Sequence, residues 1–193
     1  FVASQHVKRQ KLCPFFAIRP AGVTMRSIFK CGKDIALYIH QEKVVTIAFQ
    51  TCDLCDAQKS DATGVFRVLP PIFKHFGGRE KFAGQVATVK CFEDNTLVKQ
   101  AVESAGQGRV LVVDGGGSLR KALVGGNLAA TAARNGWSGV LVYGCVRDCA
   151  ELAASDVGIA ALALMPMPTE KRGEGQGHVV LDIAGVRVAP GDW

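Results

Sequence analysis

Two short runs of branched aliphatic residues constrain this chain more than anything else in it. Val110–Val113 and Val140–Tyr143 are each of strand length. The first runs into Asp114-Gly115-Gly116-Gly117, the second into Gly144-Cys145-Val146-Arg147-Asp148. Strands that are apolar at every position, rather than at alternate ones, are covered on both faces, which predicts an α/β sheet. Between the runs lies a helix with a start and a stop: Asn127 placed to cap it, helix formers over Leu128–Arg134, and Gly136 at the C′ position. Sites in such folds gather beyond the carboxyl ends of the strands. The residues to follow are therefore Gly125, Gly126, Asn127 and Leu128, together with Arg147 and Asp148.

Elsewhere the punctuation is readable. Val44–Phe49 is a short apolar run, and Thr51 is placed to cap a helix with an acidic first turn. Phe82–Cys91 has the β-branched content of a strand. Asn95 or Thr96 begins a helix to about Ala105, closed by Gly106, and Ser118 caps a short helix to Val124. Cys149–Ala154 gives one or two helical turns, and Ile159–Leu164 is again apolar. Residues 169–177 form a polar, glycine-rich loop with solvated charges. His178–Ile183 and Val186–Val188 read as a hairpin around Ala184-Gly185.

A chain of 193 residues holds one domain with a proper core, or one domain and an appendage. No apolar run approaches the roughly 18–20 residues a bilayer span needs, so no membrane association is expected. The net charge of +6 is local: residues 1–50 carry eight Lys/Arg against Asp34 and Glu42, and the remainder holds fifteen of each sign. A neutral body argues against a basic groove for nucleic acid. The division predicted is a basic extension over residues 1–43 and a folded domain over 44–193. The extension suits an organelle transit peptide, sequence upstream of an internal start at Met25, or a segment with no fold of its own.

Seven cysteines at irregular spacing indicate reduced thiols in a cytosol-like compartment, not a disulfide scaffold. Cys52-x-x-Cys55 has no matching ligand pair at zinc spacing, and the thiols read as buried or half-buried structural residues.

The glycines are not a nucleotide fingerprint. From Gly115 the sixth position of G-x-G-x-x-G is Arg120, and no P-loop pattern is present. Gly115–Gly117 reads as a tight turn. Gly125-Gly126-Asn127-Leu128 has a second meaning besides capping. Glycines at a helix start let backbone N–H groups approach an anion, such as the carboxylate of a small oxo acid. Arg147 offers a planar fork for a carboxylate, and Asp148 a hard oxygen suited to Mg²⁺; the plain alternative is a surface ion pair. Spacing alone stops at an α/β domain with a candidate anion site.

Three longer segments carry a resemblance. Residues 76–95 (F-G-G-R-E-K-F-A-G-Q-V-A-T-V-K-C-F-E-D-N), 108–129 (G-R-V-L-V-V-D-G-G-G-S-L-R-K-A-L-V-G-G-N-L-A) and 135–148 (N-G-W-S-G-V-L-V-Y-G-C-V-R-D) closely resemble the RraA-like family, as do 54–57 and 185–193. That family includes inhibitors of ribonuclease E and class II 4-hydroxy-4-methyl-2-oxoglutarate aldolases. The resemblance implies a compact β/β/α sandwich of the swivelling phosphohistidine-domain type, assembled as a homotrimer. It implies that Gly125–Leu128 and Arg147 hold a pyruvyl carboxylate while Asp148 binds the divalent metal, with Arg147 and Asp148 carrying the catalysis. Cleavage to two pyruvates, with oxaloacetate decarboxylation as a companion activity, would follow. Two departures stand out. Aldolase members carry an acid twenty-one positions before the arginine, where this sequence has Gly126, a role that Asp114 or another subunit would have to fill. The family also continues past the position of Trp193 with an acidic segment, so the chain is expected to be truncated. The alternative implied function is a non-catalytic ribonuclease regulator; the retained Arg147-Asp148 pair favours the enzyme.

Overall fold

The two valine runs become adjacent parallel strands at the centre of one sheet. The computed structural model describes residues 17–18 and 50–193. In chain order the elements are β1 (Ala17–Ile18), α1 (Thr51–Gln58), β2 (Arg67–Val68), β3 (Lys74–His75), β4 (Val86–Lys90), α2 (Thr96–Glu103) and β5 (Val110–Asp114). There follow β6 (Ala122–Val124), α3 (Gly126–Arg134), β7 (Gly139–Val146), α4 (Cys149–Ala154), β8 (Gly158–Leu164), β9 (Gln176–Gly177), β10 (Leu181–Ile183) and β11 (Val186–Val188). The run Val44–Phe49 and the boundary at 43/44 lie outside the described residues.

The main sheet has seven strands in the order β3-β8-β7-β5-β4-β9, with β6 also on β7. β4, β5, β7 and β8 are parallel, and the edge strands β3 and β9 run antiparallel to them. The alternation of side chains across the pleat divides the valine runs between two cores. Leu111, Val113, Val140 and Val142 join Val98 and Val102 of α2, Ala129 and Ala132 of α3, Leu152 of α4, and Trp137 from the loop before β7. Val110, Val112 and Leu141 face the other way, against Leu181, Ile183 and Val188 of the β10–β11 hairpin. Hairpin, sheet and helices thus make three layers, the β/β/α arrangement that the resemblance implies. Runs that are apolar at every position are required because both faces are covered. Among the described residues no helix is long and apolar enough to cross a membrane.

Several elements differ from the sequence reading. Ser118 caps no helix; Ala122–Val124 is a strand that continues along the edge of β7 where β5 leaves off, pairing Ala122 with Cys145 and Val124 with Val146. β7 itself does not turn at Gly144 but runs to Val146. α3 begins one residue before Asn127, with Gly125 in the cap position, so Asn127 lies inside the first turn. α1 starts at Thr51 with Gln50 as its cap residue, and α2 ends at Glu103. Asn95 occupies the cap position of α2, but its side chain donates to the Leu123 carbonyl (3.1 Å); the Thr96 N–H goes to Asp94 Oδ1 (2.8 Å).

Asp94 also fixes the loop at 169–177. Its Oδ2 accepts the N–H groups of Arg172 (2.6 Å) and Glu174 (3.2 Å). The loop's charged side chains stay at the surface, as expected, but its backbone is tied to a carboxylate that is 0% exposed. Burial pushes that carboxyl's pKa up, yet these hydrogen bonds more than offset it and hold Asp94 well below the usual carboxylate range.

Candidate functional site

The site arises where β6 and β7 end side by side. They are parallel, and Val124 pairs with Val146, so their exits meet: β6 passes through Gly125 into α3, and β7 through Arg147-Asp148 into α4. The Arg147 N–H extends the ladder to the Val124 carbonyl (2.9 Å), and on the other side Met165 N–H bonds Val146 O (2.9 Å). The backbone beneath the site is therefore held from both neighbours.

Between strand and helix, Asp148 adopts the left-handed conformation (φ 61°, ψ 50°). Aspartate tolerates that region better than most residues, but holding it there still costs energy. The turn sends the Asp148 side chain back over α3. Its Oδ2 accepts the Gly126 N–H (3.1 Å) and lies 3.4 Å from Arg147 Nε. Arg147 and Asp148 side chains are 40% and 38% exposed, so as a structural ion pair they contribute little, below about 1 kcal/mol. Oδ1 of Asp148 carries no partner among the described residues. Behind them, Cys145 is buried, and burial raises its thiol pKa.

The two glycines leave room for what lies on them. A Cβ at Gly125 would stand 2.6 Å from Asp148 Oδ2 and 3.2 Å from Arg147 Cγ and Nε. One at Gly126 would fall on the carboxylate of Glu151 and stand 2.6 Å from that residue's Cβ. The helix start thus meets side chains from the β7–α4 turn and from α4 at backbone distance, with the positive end of the α3 dipole facing carboxylates.

Of the residues singled out in the sequence, Gly125, Gly126, Arg147 and Asp148 come together here. Asn127 and Leu128 occupy the same turn in other roles. The Asn127 residue is exposed and its carbonyl accepts Thr131 Oγ1 (2.8 Å); Leu128 packs against the helical core and gives its N–H to Gly125 O (3.1 Å). Asp114 closes the glycine turn, its Oδ1 accepting the Gly116 N–H (2.9 Å), with Gly116 and Gly117 at φ 65° and 68°. Glu151 was not singled out. The one sequence signal for it was the glycine pair itself, which marks a close approach by another element without naming it. The thiols divide: Cys91 and Cys145 are buried, Cys55 is half-buried, and Cys52 and Cys149 are exposed, against the expectation of structural burial throughout.

A family profile described as RraA-like, Aldolase/RraA, matches residues 51–193. The chain is 64% identical over 157 residues to a protein of Albidiferax ferrireducens named "Putative 4-hydroxy-4-methyl-2-oxoglutarate aldolase", covering 77% of this chain and 91% of that one. A Burkholderia mallei protein of the same name is 57% identical over 146 residues, 75% of this chain and 88% of its own. The solved structure of the RNA-processing inhibitor RraA from Thermus thermophilis superimposes with a TM-score of 0.69 at 49% identity, over 74% of this chain and 84% of that one.

Proposed function

Because the chain belongs to the Aldolase/RraA family, we propose that it is a lyase that cleaves 4-hydroxy-4-methyl-2-oxoglutarate to two molecules of pyruvate and that decarboxylates oxaloacetate through the same enolate. The reading rests on one observation: an Arg147–Asp148 pair folded onto a glycine helix start, in a chain 64% identical to a protein bearing the aldolase name. Arg147 would bind the carboxylate of the oxo acid through its planar fork and neutralise charge as the C–C bond breaks. The positive end of α3 adds to the attraction. Gly125 and Gly126 keep the backbone free of side chains, so that substrate, arginine and aspartate share one small space.

The donor set fits a divalent cation of the Mg²⁺ or Mn²⁺ kind. Asp148 supplies a hard, half-exposed carboxylate oxygen, and such ions retain much of their water. No group of three or more His, Cys, Asp or Glu among the described residues forms a cage, so water and substrate would complete the coordination. Asp148 would hold the ion, which when bound would polarise the 2-oxo group.

A coupled assay for pyruvate, with Mg²⁺ or Mn²⁺ and again with EDTA, tests this directly. Release that depends on protein and is abolished by EDTA is the expected result; release no faster than metal alone would remove the enzyme reading. The likeness to the Thermus inhibitor favours a second reading, in which this fold binds and restrains a ribonuclease. That reading predicts binding to a ribonuclease E-type enzyme that survives substitution of Arg147 and Asp148.

A further inference from the structure

One charged side chain at the centre of this site has no role in the reading above. Glu151 stands on α4, three residues after Asp148, and its N–H donates to the Asp148 carbonyl (3.0 Å). Although the residue is exposed, its side chain lies back over the start of α3, against the Cα of Gly126. The carboxylate carbon is 2.6 Å from where a Cβ at 126 would be, as Asp148 Oδ2 is from the corresponding point at Gly125. Two adjacent backbone positions therefore each carry a carboxylate, delivered from one strand-to-helix turn.

We infer that Glu151 is the second carboxylate of the metal-binding site, a positioning residue that orients water around the cation held by Asp148. The inference rests on the metal-dependent reading of Asp148. Three observations lead to it. Gly126 is at the first position of a helix, where local helix chemistry does not call for a glycine. A Cβ there would meet the carboxylate and Cβ of Glu151, so Glu151 takes the space a side chain at 126 would use. None of the ion pairs among the described residues involves Glu151, so its charge is not spent on a structural bridge. And the local charge sum changes sign with it. Arg147 and Asp148 cancel, leaving the helix end at roughly half a positive charge. Glu151 turns that into a net negative site, which favours a divalent cation over a lone anion. With the cation in place, the surplus is again positive and an oxo acid is drawn in.

Mn²⁺ titration read by the electron paramagnetic resonance of the free ion measures this without turnover. Wild type, Glu151→Gln, Asp148→Asn and Glu103→Gln would be compared, the last an exposed carboxylate on α2 paired with Lys99. Glu151→Gln preserves shape and should weaken Mn²⁺ roughly 10–100-fold, the usual effect of removing a group that orients a metal's ligands or water. Its thermal midpoint should stay within about 2 °C of wild type, as for most surface substitutions. Glu103→Gln should bind as wild type. If Asp148→Asn loses affinity while Glu151→Gln keeps it, Glu151 is no part of the site and the inference is overturned alone. If Asp148→Asn also binds Mn²⁺ like wild type, the metal reading of the site falls and this inference with it.

Discussion

Gly125→Ala separates the site from the fold. Gly125 sits at φ −130°, ψ −175°, extended backbone that any residue adopts, so alanine meets no conformational penalty. Restricting the unfolded chain should instead stabilise by about 0.4–1 kcal/mol. Against this stands the new methyl group, 2.6 Å from Asp148 Oδ2. The carboxylate end is mobile enough to retreat by roughly 1 Å, to an ordinary contact of about 3.5 Å. Retreat breaks the Gly126–Asp148 hydrogen bond, which costs about 1 kcal/mol in this half-exposed setting. The two effects offset, so net stability should change by no more than about 1 kcal/mol, a shift of about 2–4 °C in a domain of this size. Activity is a different matter. A displacement of about 1 Å in a group that holds the reacting partners can cost about 100-fold in rate. Thermal denaturation and the pyruvate assay on the same sample would show a near-native midpoint with a rate down by about two orders of magnitude. A midpoint lowered by more than about 8 °C, or an unchanged rate, would refute the reasoning, the first by making Gly125 a fold residue and the second by making the position of Asp148 irrelevant.

Asp148→Asn and Arg147→Lys should each lower pyruvate release by about 10²–10³-fold with the circular dichroism spectrum unchanged, since the lysine point charge cannot reproduce the arginine fork. Asp94→Asn should destabilise by about 1.5–3 kcal/mol in urea unfolding, because the N–H groups of Thr96, Arg172 and Glu174 lose a charged acceptor that is itself buried. Asp94 is held below its unfolded pKa of about 3.9, so its contribution is fully present above that pH and fades as pH falls toward the folded value. The variant should accordingly be less acid-sensitive than wild type below about pH 4, with the smaller contributions of Asp61, Glu93 and Asp156 retained. Iodoacetamide with site-by-site mass spectrometry should label Cys52 and Cys149 quickly. Cys91, its thiol pushed up to about 12 by burial and by the neighbouring carboxylates of Asp94 and Asp114, should react only in denaturant, as should Cys145. Light scattering should give a trimer at micromolar concentration, the assembly proposed from family resemblance; a clean monomer would count against it.

The parts of the fold legible in the sequence are those set by local chemistry or by burial on both faces. β5 and β7 announce themselves through valine runs, the β10–β11 turn through Ala184-Gly185, and α4 through its short alanine-rich stretch. β6 could not be read that way. Ser118-Leu-Arg-Lys-Ala-Leu has a capping residue and helix formers, and only the long-range ladder to Cys145 and Val146 makes Ala122–Val124 a strand. The site was half legible for the same reason. Arg147, Asp148 and the paired glycines are visible as residue types at strand ends, where geometry follows from topology. Glu151 became visible only once α4 was laid across α3, and no spacing rule predicts how closely two helix starts will approach. Asp114, chemically as suitable an acid, is engaged by a local contact instead, its carboxylate accepting the N–H two residues on.

The order of strands also sets a timetable for synthesis. Among the described residues β3 pairs with β8 alone, β4 receives β9 on its outer edge, and the face formed by Val110, Val112 and Leu141 is covered by residues 181–188. Val86 N–H is bonded to the carbonyl of Asp192, and Arg67 pairs with the Asp192 carboxylate at 2.8 Å. A nascent chain that has already made β4, β5 and β7 therefore emerges with one apolar face open and an unpaired edge until residues 176–192 have left the ribosome. Parallel, nonlocal pairing of this kind folds slowly and is exposed to aggregation while it waits. Expression yield should consequently respond to chaperone supply and to growth temperature, and disrupting residues 181–192 should send the chain to inclusion bodies sooner than loosening any loop near the site.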